Sequence, residues 1–519
     1  NTAIGYQALA TTTFGDKNVA VGYQAGKAYV PDENYGNAVF IGHHAGLNVT
    51  TARKATVIGN AAVGSGIMTG TQNTAIGNEA GYALVAGQQN TLMGTGVADA
   101  MTSGSFNVAM GVDALGVSVD VDKAVAIGHS AMGGGNVTGA ADGTVAVGKD
   151  ALVALTSGAS NTAIGYNAAA SNQTGISNVV IGYQAADADT NGDANIVIGK
   201  DAFGNVAGSN PDYNVAIGVN AILGESGSTC ARNIAIGYES LKELTSAVDN
   251  VSIGYNAGLA LTEGIRNAFM GTNTGESLTD GDENTLLGYQ AGKELIQTNG
   301  NCALGAFALG AAQTGNNNVA VGVSSLGSLN NAAAIANTAV GTAALYGVTS
   351  GHNNMGLGDQ AGRAASPSGN ITTADDIICL GNNDIATLYC TQSSISTSDG
   401  RDKTDVEDFT HGLNFINQMR PVTYRWDRRS WYVDKEQPDA KDIMDATPDG
   451  SRKKDKINIG FIAQEVQEIE RQYGYSKKKE DGKADRNSEL LVDTTLDHTF
   501  IGMQYERLTP ILVNAVREL

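Results

Sequence analysis

One phrase governs what this chain can fold into. Asn-Thr-Ala-Ile-Gly-Tyr-Gln-Ala opens the sequence at Asn1 and returns with variations to about residue 384. Anchored on its glycine, the repeat falls at Gly5, Gly22, Gly42 and onward to Gly381, giving 22 copies. Fourteen of the 21 spacings equal the step from Gly5 to Gly22, and the others are slightly longer. The residue before the glycine is Ile, Val, Leu or Met in all 22 copies, and the residue two before that is usually Val, Thr or Ile. Most often an alanine stands between them. Such alternation predicts a short strand. Asn stands four before the glycine in 17 copies, and Ala three after it in 17.

A 17-residue period is too short for helical-hairpin repeats, which need about 33 residues or more. It predicts one coil of a β-solenoid per repeat, with neighbouring coils about 4.8 Å apart. The glycine permits a tight corner, and the asparagines are expected to stack as an amide ladder. Each coil carries little apolar bulk. The small alanine between two larger residues would let another chain pack closely, so lateral association is expected. The extra residues cluster between coils, at Ala28–Gly36, Val117–Asp122, Gly204–Tyr213 and Gly224–Arg232. These predict projecting loops, where recognition usually resides.

Composition divides the 519 residues in two. Residues 1–397 hold 60 of the 67 glycines, 12 Lys+Arg and 29 Asp+Glu, whereas residues 398–519 hold 20 Lys+Arg, 24 Asp+Glu and both tryptophans. The acidic repeat segment is a poor match for nucleic acid, which calls for clustered cations. No run of about 18 apolar residues exists to insert into a membrane, and no signal peptide opens the chain. Asn1 falls inside a repeat, so a preceding segment that joins other proteins is expected.

The four cysteines (Cys230, Cys302, Cys379, Cys390) form no C-x-x-C pair, and Cys302 and Cys379 read as small buried strand residues. His43-His44 is the only histidine pair, and alternation along a strand would turn the two apart. No metal site and no cofactor fingerprint is read. A glycosidase needs two carboxylates about 5–9.5 Å apart. The acidic pairs Asp120/Asp122 and Asp187/Asp189 read as solvated faces instead. An ice-binding ladder would need regular threonines. Position three before the glycine is Thr at Thr2, Thr56 and Thr74 but Val at Val19, Val39 and Val108.

The phrase N-T/V-A-I-G-x-x-A resembles the head repeats of trimeric autotransporter adhesins and related repeats of phage fibres. That resemblance runs through the whole repeat segment, from Asn1 to about residue 384. It implies a β-roll packed as a trimer, although the repeats of those heads are usually shorter than the period of this chain.

A different pattern starts at Ser398. Ser398-Asp399-Gly400-Arg401-Asp402-Lys403 precedes a helical spacing of Phe409, Leu413, Ile416 and Met419, which Pro421 ends. Val422, Tyr424 and Trp426 alternate as a strand, and residues 427–456 read as a charged, mobile insertion. Ile457, Ile459 and Phe461 alternate again, leading into Gly460-Phe461-Ile462-Ala463-Gln464-Glu465-Val466. Tyr505, Leu508, Leu512, Ala515 and Leu519 keep a coiled-coil spacing to the end. On residue type alone, Ser398 reads as a helix N-cap and Lys403 as a solvated lysine.

These segments, in this order, are similar to the C-terminal intramolecular chaperone of phage tail spikes and fibres, the S74 peptidase family. The resemblance implies a domain that trimerises, directs folding of the β-structured stalk and cuts itself off. It assigns a serine–lysine dyad to Ser398 and Lys403 and the scissile bond to Ser398–Asp399. A serine hydroxyl needs a base to take its proton, and a lysine can serve when burial lowers its pKa. One residue departs from the pattern, since Asp402 stands where the family usually has Leu. A carboxylate beside Lys403 favours the charged amine.

The combined expectation is a mainly β, homotrimeric solenoid with about 17 residues per coil, ending in a small α+β chaperone domain and a coiled-coil helix. Residues 1–384 form the repeat shaft, 385–397 an extended linker and 398–519 the chaperone with its self-cleaving site. The expected setting is a phage virion tail fibre that contacts a host cell-surface receptor. A bacterial surface adhesin stalk and a glycan-degrading tail spike are the alternatives.

Overall fold

The computed structural model describes residues 1–31, 36–208, 210–225, 227–385, 403–433, 440–495 and 500–519. The chain divides into two compact units, Asn1–Asn299 and Gly300–Leu519. The first unit carries strands β1 (Thr2–Ile4) to β17 (Thr285–Leu287). The second carries β18 (Cys302–Leu304) to β22 (Ile378–Leu380), followed by the C-terminal elements. Each of the 22 repeats contributes one three-residue strand, placed immediately before its glycine. Within each unit, neighbouring coils pair in parallel and in register, so that Thr2 lies beside Val19 and Thr162 beside Val179. The repeats of each unit therefore form a parallel β-solenoid.

Three devices stack the coils. First, the glycine takes φ near +140° (Gly165 +142°, Gly182 +147°), a region open only to glycine. A Cβ on Gly165 would also stand 2.1 Å from the Gly182 carbonyl oxygen. Second, the asparagines form a buried ladder. Asn250 Oδ1 accepts the Asn267 backbone N–H at 2.9 Å and its side-chain amide at 3.1 Å, while Asn250 Nδ2 donates to the Gly264 carbonyl at 2.8 Å. The same pattern links Asn73 to Asn90 and Asn161 to Asn178. Third, recurrent left-handed residues, such as Gln7, Leu9 and Lys17, turn the chain between strands. Inter-coil hydrogen bonds such as Gln24 N–H to the Tyr6 carbonyl (2.8 Å) and Leu9 N–H to the Ala25 carbonyl (3.0 Å) hold this strained backbone in place.

The strand faces differ from the sequence expectation. The middle residue of each strand from the second coil onward, usually alanine, points into the coil and is buried, as at Ala20, Ala75 and Ala216. The larger residues on either side are half-buried or exposed in the single chain, as at Ile41, Met93, Met110, Ile164 and Met270. At the middle strand position the coil interior is narrow and small residues usually fill it, whereas other inward positions bury larger ones such as Leu84, Leu115 and Met132. Where a large one takes the middle position, glycines make room. Phe40 and Phe269 are buried, and a Cβ on Gly46 or Gly258 would lie 2.4 or 2.8 Å from the respective ring. Cys379 is buried as expected, but Cys302 occupies an outward position and is only half-buried. His43 and His44 follow the glycine in a turn, so their rings lie together, with centroids 3.9 Å apart.

Asp189 interrupts the core. It takes an inward position that Asn172 fills in the coil before it and Val206 in the coil after it, and it is 3% exposed. This corrects the reading of Asp189 as part of a solvated face. Its Oδ1 accepts N–H groups from Asn191 and Gly192 (3.1 and 2.9 Å). Burial nevertheless raises its pKa to about 6, with Asp212 and Asp193 adding like charge. The folded pKa lies above the unfolded one, so ionisation costs stability as pH rises from about 4 to 6, and the full cost persists above. A rise of that size corresponds to roughly 3 kcal/mol. Asp189→Asn removes the charge but keeps an acceptor for the Asn191 and Gly192 N–H groups, and is expected to stabilise the surrounding coils at pH 7.5 and to have little effect at pH 4. Hydrogen exchange across residues 172–206 at the two pH values checks this, and an equal effect at both would refute it.

Candidate functional site: the C-terminal domain

Beyond β22 the described chain folds around a compact apolar core. Its first helix is α1 (Leu413–Ile416), followed by β23 (Val422–Tyr424), α2 (Ala440–Asp445) and β24 (Asn458–Gly460). Next come α3 (Ala463–Gln472), β25 (Val492–Thr494), β26 (Ile501–Met503) and α4 (Leu508–Glu518). β23 pairs antiparallel with β24, and β25 with β26. Phe415, Met419, Val466, Ile469, Leu491, Val492, Leu508 and Ile511 form the core.

The sequence expectations hold here in outline, with three changes. The first helix is a single turn, and Phe415 rather than Leu413 is its fully buried residue. Phe409 packs against the core from outside the helix. The described part of the 427–456 insertion is structured, with a 3-10 turn at Arg429–Tyr432 and a fully buried Ile443 on α2. The terminal helix does not present a single heptad seam. Leu508, Ile511 and Ala515 pack inward, whereas Leu512, Val513, Val516 and Leu519 are exposed.

Segments distant in sequence meet through specific polar contacts. Arg420, just before Pro421, forms an ion pair with Glu465 on α3. The Tyr505 hydroxyl accepts the Phe461 backbone N–H at 3.2 Å, and a Cβ on Gly460 would lie 2.4 Å from that oxygen. The Glu518 carboxylate accepts the Leu413 N–H at 2.6 Å at the start of α1, and the Asn514 amide donates to the Phe409 carbonyl. The segment from α1 to Pro421, the Gly460–Val466 segment and the terminal helix thus form one unit.

Glu470 is the residue that sequence reading missed. It is fully buried, yet its carboxylate meets four donors. These are the backbone N–H groups of Leu490 (3.2 Å), Leu491 and Val492 (3.1 Å), and the Ser476 hydroxyl. It ties α3 to the start of β25. The available signal was its spacing. Glu470 stands four after Val466 and three before Tyr473, a carboxylate on the apolar face of a helix.

Of the dyad residues, Ser398 and the Asp399 side of the assigned scissile bond lie outside the described residues, as do Arg401 and Asp402. Lys403 is described and is exposed in the single chain.

Residues 398–475 match the model of the peptidase S74 family, the chaperone of endosialidase. No curated protein matches the chain in sequence.

Proposed function

We propose that this chain is a homotrimeric phage tail fibre, with its solenoid as the shaft for host-surface attachment or spacing. In this reading the C-terminal domain drives trimerisation and folding, then cuts the chain at Ser398–Asp399 with Lys403 as base. The match of residues 398–475 to the chaperone family carries the proposal.

Three uncovered apolar surfaces support association of like chains. The outward strand residues repeat in every coil, so a lone chain would leave an apolar stripe in water along the first unit, from Ile41 and Met110 to Met270. On β24 and just before it, Ile459 is 77% and Ile457 61% exposed. On α4, Val516 is 71% and Leu519 88% exposed. Each surface is regular or local enough to be covered by the same surface of another copy. Assembly would also remove Lys403 from water and so lower its proton affinity, which couples cutting to completed folding.

The test is native and denaturing mass analysis of the wild-type chain beside Ser398→Ala and Lys403→Ala. The expected result is a trimer in all three, with the fragment Asp399–Leu519 released only from wild type. A folded monomer overturns the fibre reading. A trimer that stays whole overturns the cleavage alone, and Asp402→Leu should then restore it if the neighbouring carboxylate keeps Lys403 protonated.

A further inference from the structure

A solenoid has a liability at each end. β22 pairs with the strand Met355–Leu357 on one side, and no strand among the described residues pairs with its other edge. Repeat arrays need a different structure to cover such an end. We infer that the C-terminal domain is the cap of this end and grips the last coil through Arg428.

The grip is built from both tryptophans of the chain. The Arg428 guanidinium carbon lies 4.4 Å from the Trp426 ring centroid and 5.9 Å from that of Trp431. Held there, Arg428 donates to the backbone carbonyl of Asn383 and to its Oδ1 at 3.3 Å. Asn383 lies two residues past the last ladder glycine and is 8% exposed. A side chain thereby supplies donors that a further coil would supply from its backbone. Arg452 and Lys454 line the adjoining cleft of about 570 Å³ from the domain side, and Asp359 and Asp384 from the coils. The charges are complementary across it.

The contact has a functional consequence. Asn383 reaches this place only when the last coil is closed, so the domain binds a completed shaft end and not an unfolded one. Arg428 is a positioning residue in this scheme. The inference stands whether or not the chain is cut at Ser398.

The test uses full-length chain carrying Ser398→Ala, so that the domain stays attached, with and without Arg428→Gln, and reads hydrogen exchange by mass. Amides of Ile378–Asn383 should exchange at least about tenfold faster in Arg428→Gln. Those of Ala463–Gln472 and Thr162–Ile164 should be unchanged. Arg428→Lys keeps the charge but loses the planar fork, and should fall between. Asn383→Ala removes one of the two acceptors and should also accelerate exchange, by less than Arg428→Gln. Unchanged exchange at Ile378–Asn383 overturns the inference. So does equal loss of protection in α3, because Arg428 would then serve only the fold of its own domain.

Discussion

Glu470→Leu is expected to unfold the C-terminal domain while leaving the solenoid coils paired. The substitution keeps an apolar helix face but strands three backbone N–H groups and a hydroxyl that the carboxylate now satisfies. Each buried donor left without a partner costs about 1–3 kcal/mol, so the total is about 5 kcal/mol or more. A small domain is stable by only about 5–15 kcal/mol. The readout is direct, because Trp426 and Trp431 are the only tryptophans and both lie in this domain. Denaturant unfolding followed by tryptophan fluorescence should show a lost or strongly shifted transition. Glu470→Gln keeps the shape and one acceptor oxygen, and should lose less. A wild-type transition in Glu470→Leu would mean that the four hydrogen bonds contribute little. If the domain directs trimer assembly, the same variant should also lower the yield of trimer.

The second large effect lies in the shaft. Gly165→Ala should break the stacking of its coil on the next. The new Cβ would stand 2.1 Å from the Gly182 carbonyl oxygen and 2.7 Å from its carbon, with φ at +142°. Backbone strain alone costs about 1–3 kcal/mol, and separating the two backbones breaks inter-coil hydrogen bonds such as Gly182 N–H to the Ile164 carbonyl and Gln184 N–H to the Tyr166 carbonyl. Coils interact with their neighbours, so loss of protection in hydrogen exchange should centre on residues 162–195 and fade within a few coils. Gly143→Ala is the matched control. Gly143 has φ of +75° but nothing within 4 Å of an added Cβ, so it should cost only about 1–2 kcal/mol. Equal effects at the two sites would show that close stacking of the glycines is not what limits this position.

The repeat was readable because its signal is local. A glycine in a conformation closed to other residues, an asparagine four before it and an aliphatic residue between them recur within one short window. All 22 strands fall where that window places them. The C-terminal domain was readable for a different reason. Arg420, Gly460, Glu465 and Tyr505 sit in segments whose order is itself distinctive, and the fold brings those segments into contact.

The inward face of the strands was not readable. Period-2 alternation sorts residues into two sets but is symmetric between them. The usual rule would bury Val and Ile. Closure of so short a coil leaves little room beside the strand, which suits alanine at its middle position, so the larger strand residues turn outward. Asp189 was misread for the same reason, since its burial depends on the coils above and below it.

The number of coils, the position of each strand, the glycine and asparagine ladders and the boundary in composition were therefore determined by the sequence itself. All of them rest on residues within a few positions of one another. Which face forms the core, why Glu470 is buried and how Arg428 reaches Asn383 were decided only by the tertiary structure. Those contacts join residues about 20 and 45 positions apart, and the burial and hydrogen-bonding energies that select them exist only once the chain has closed.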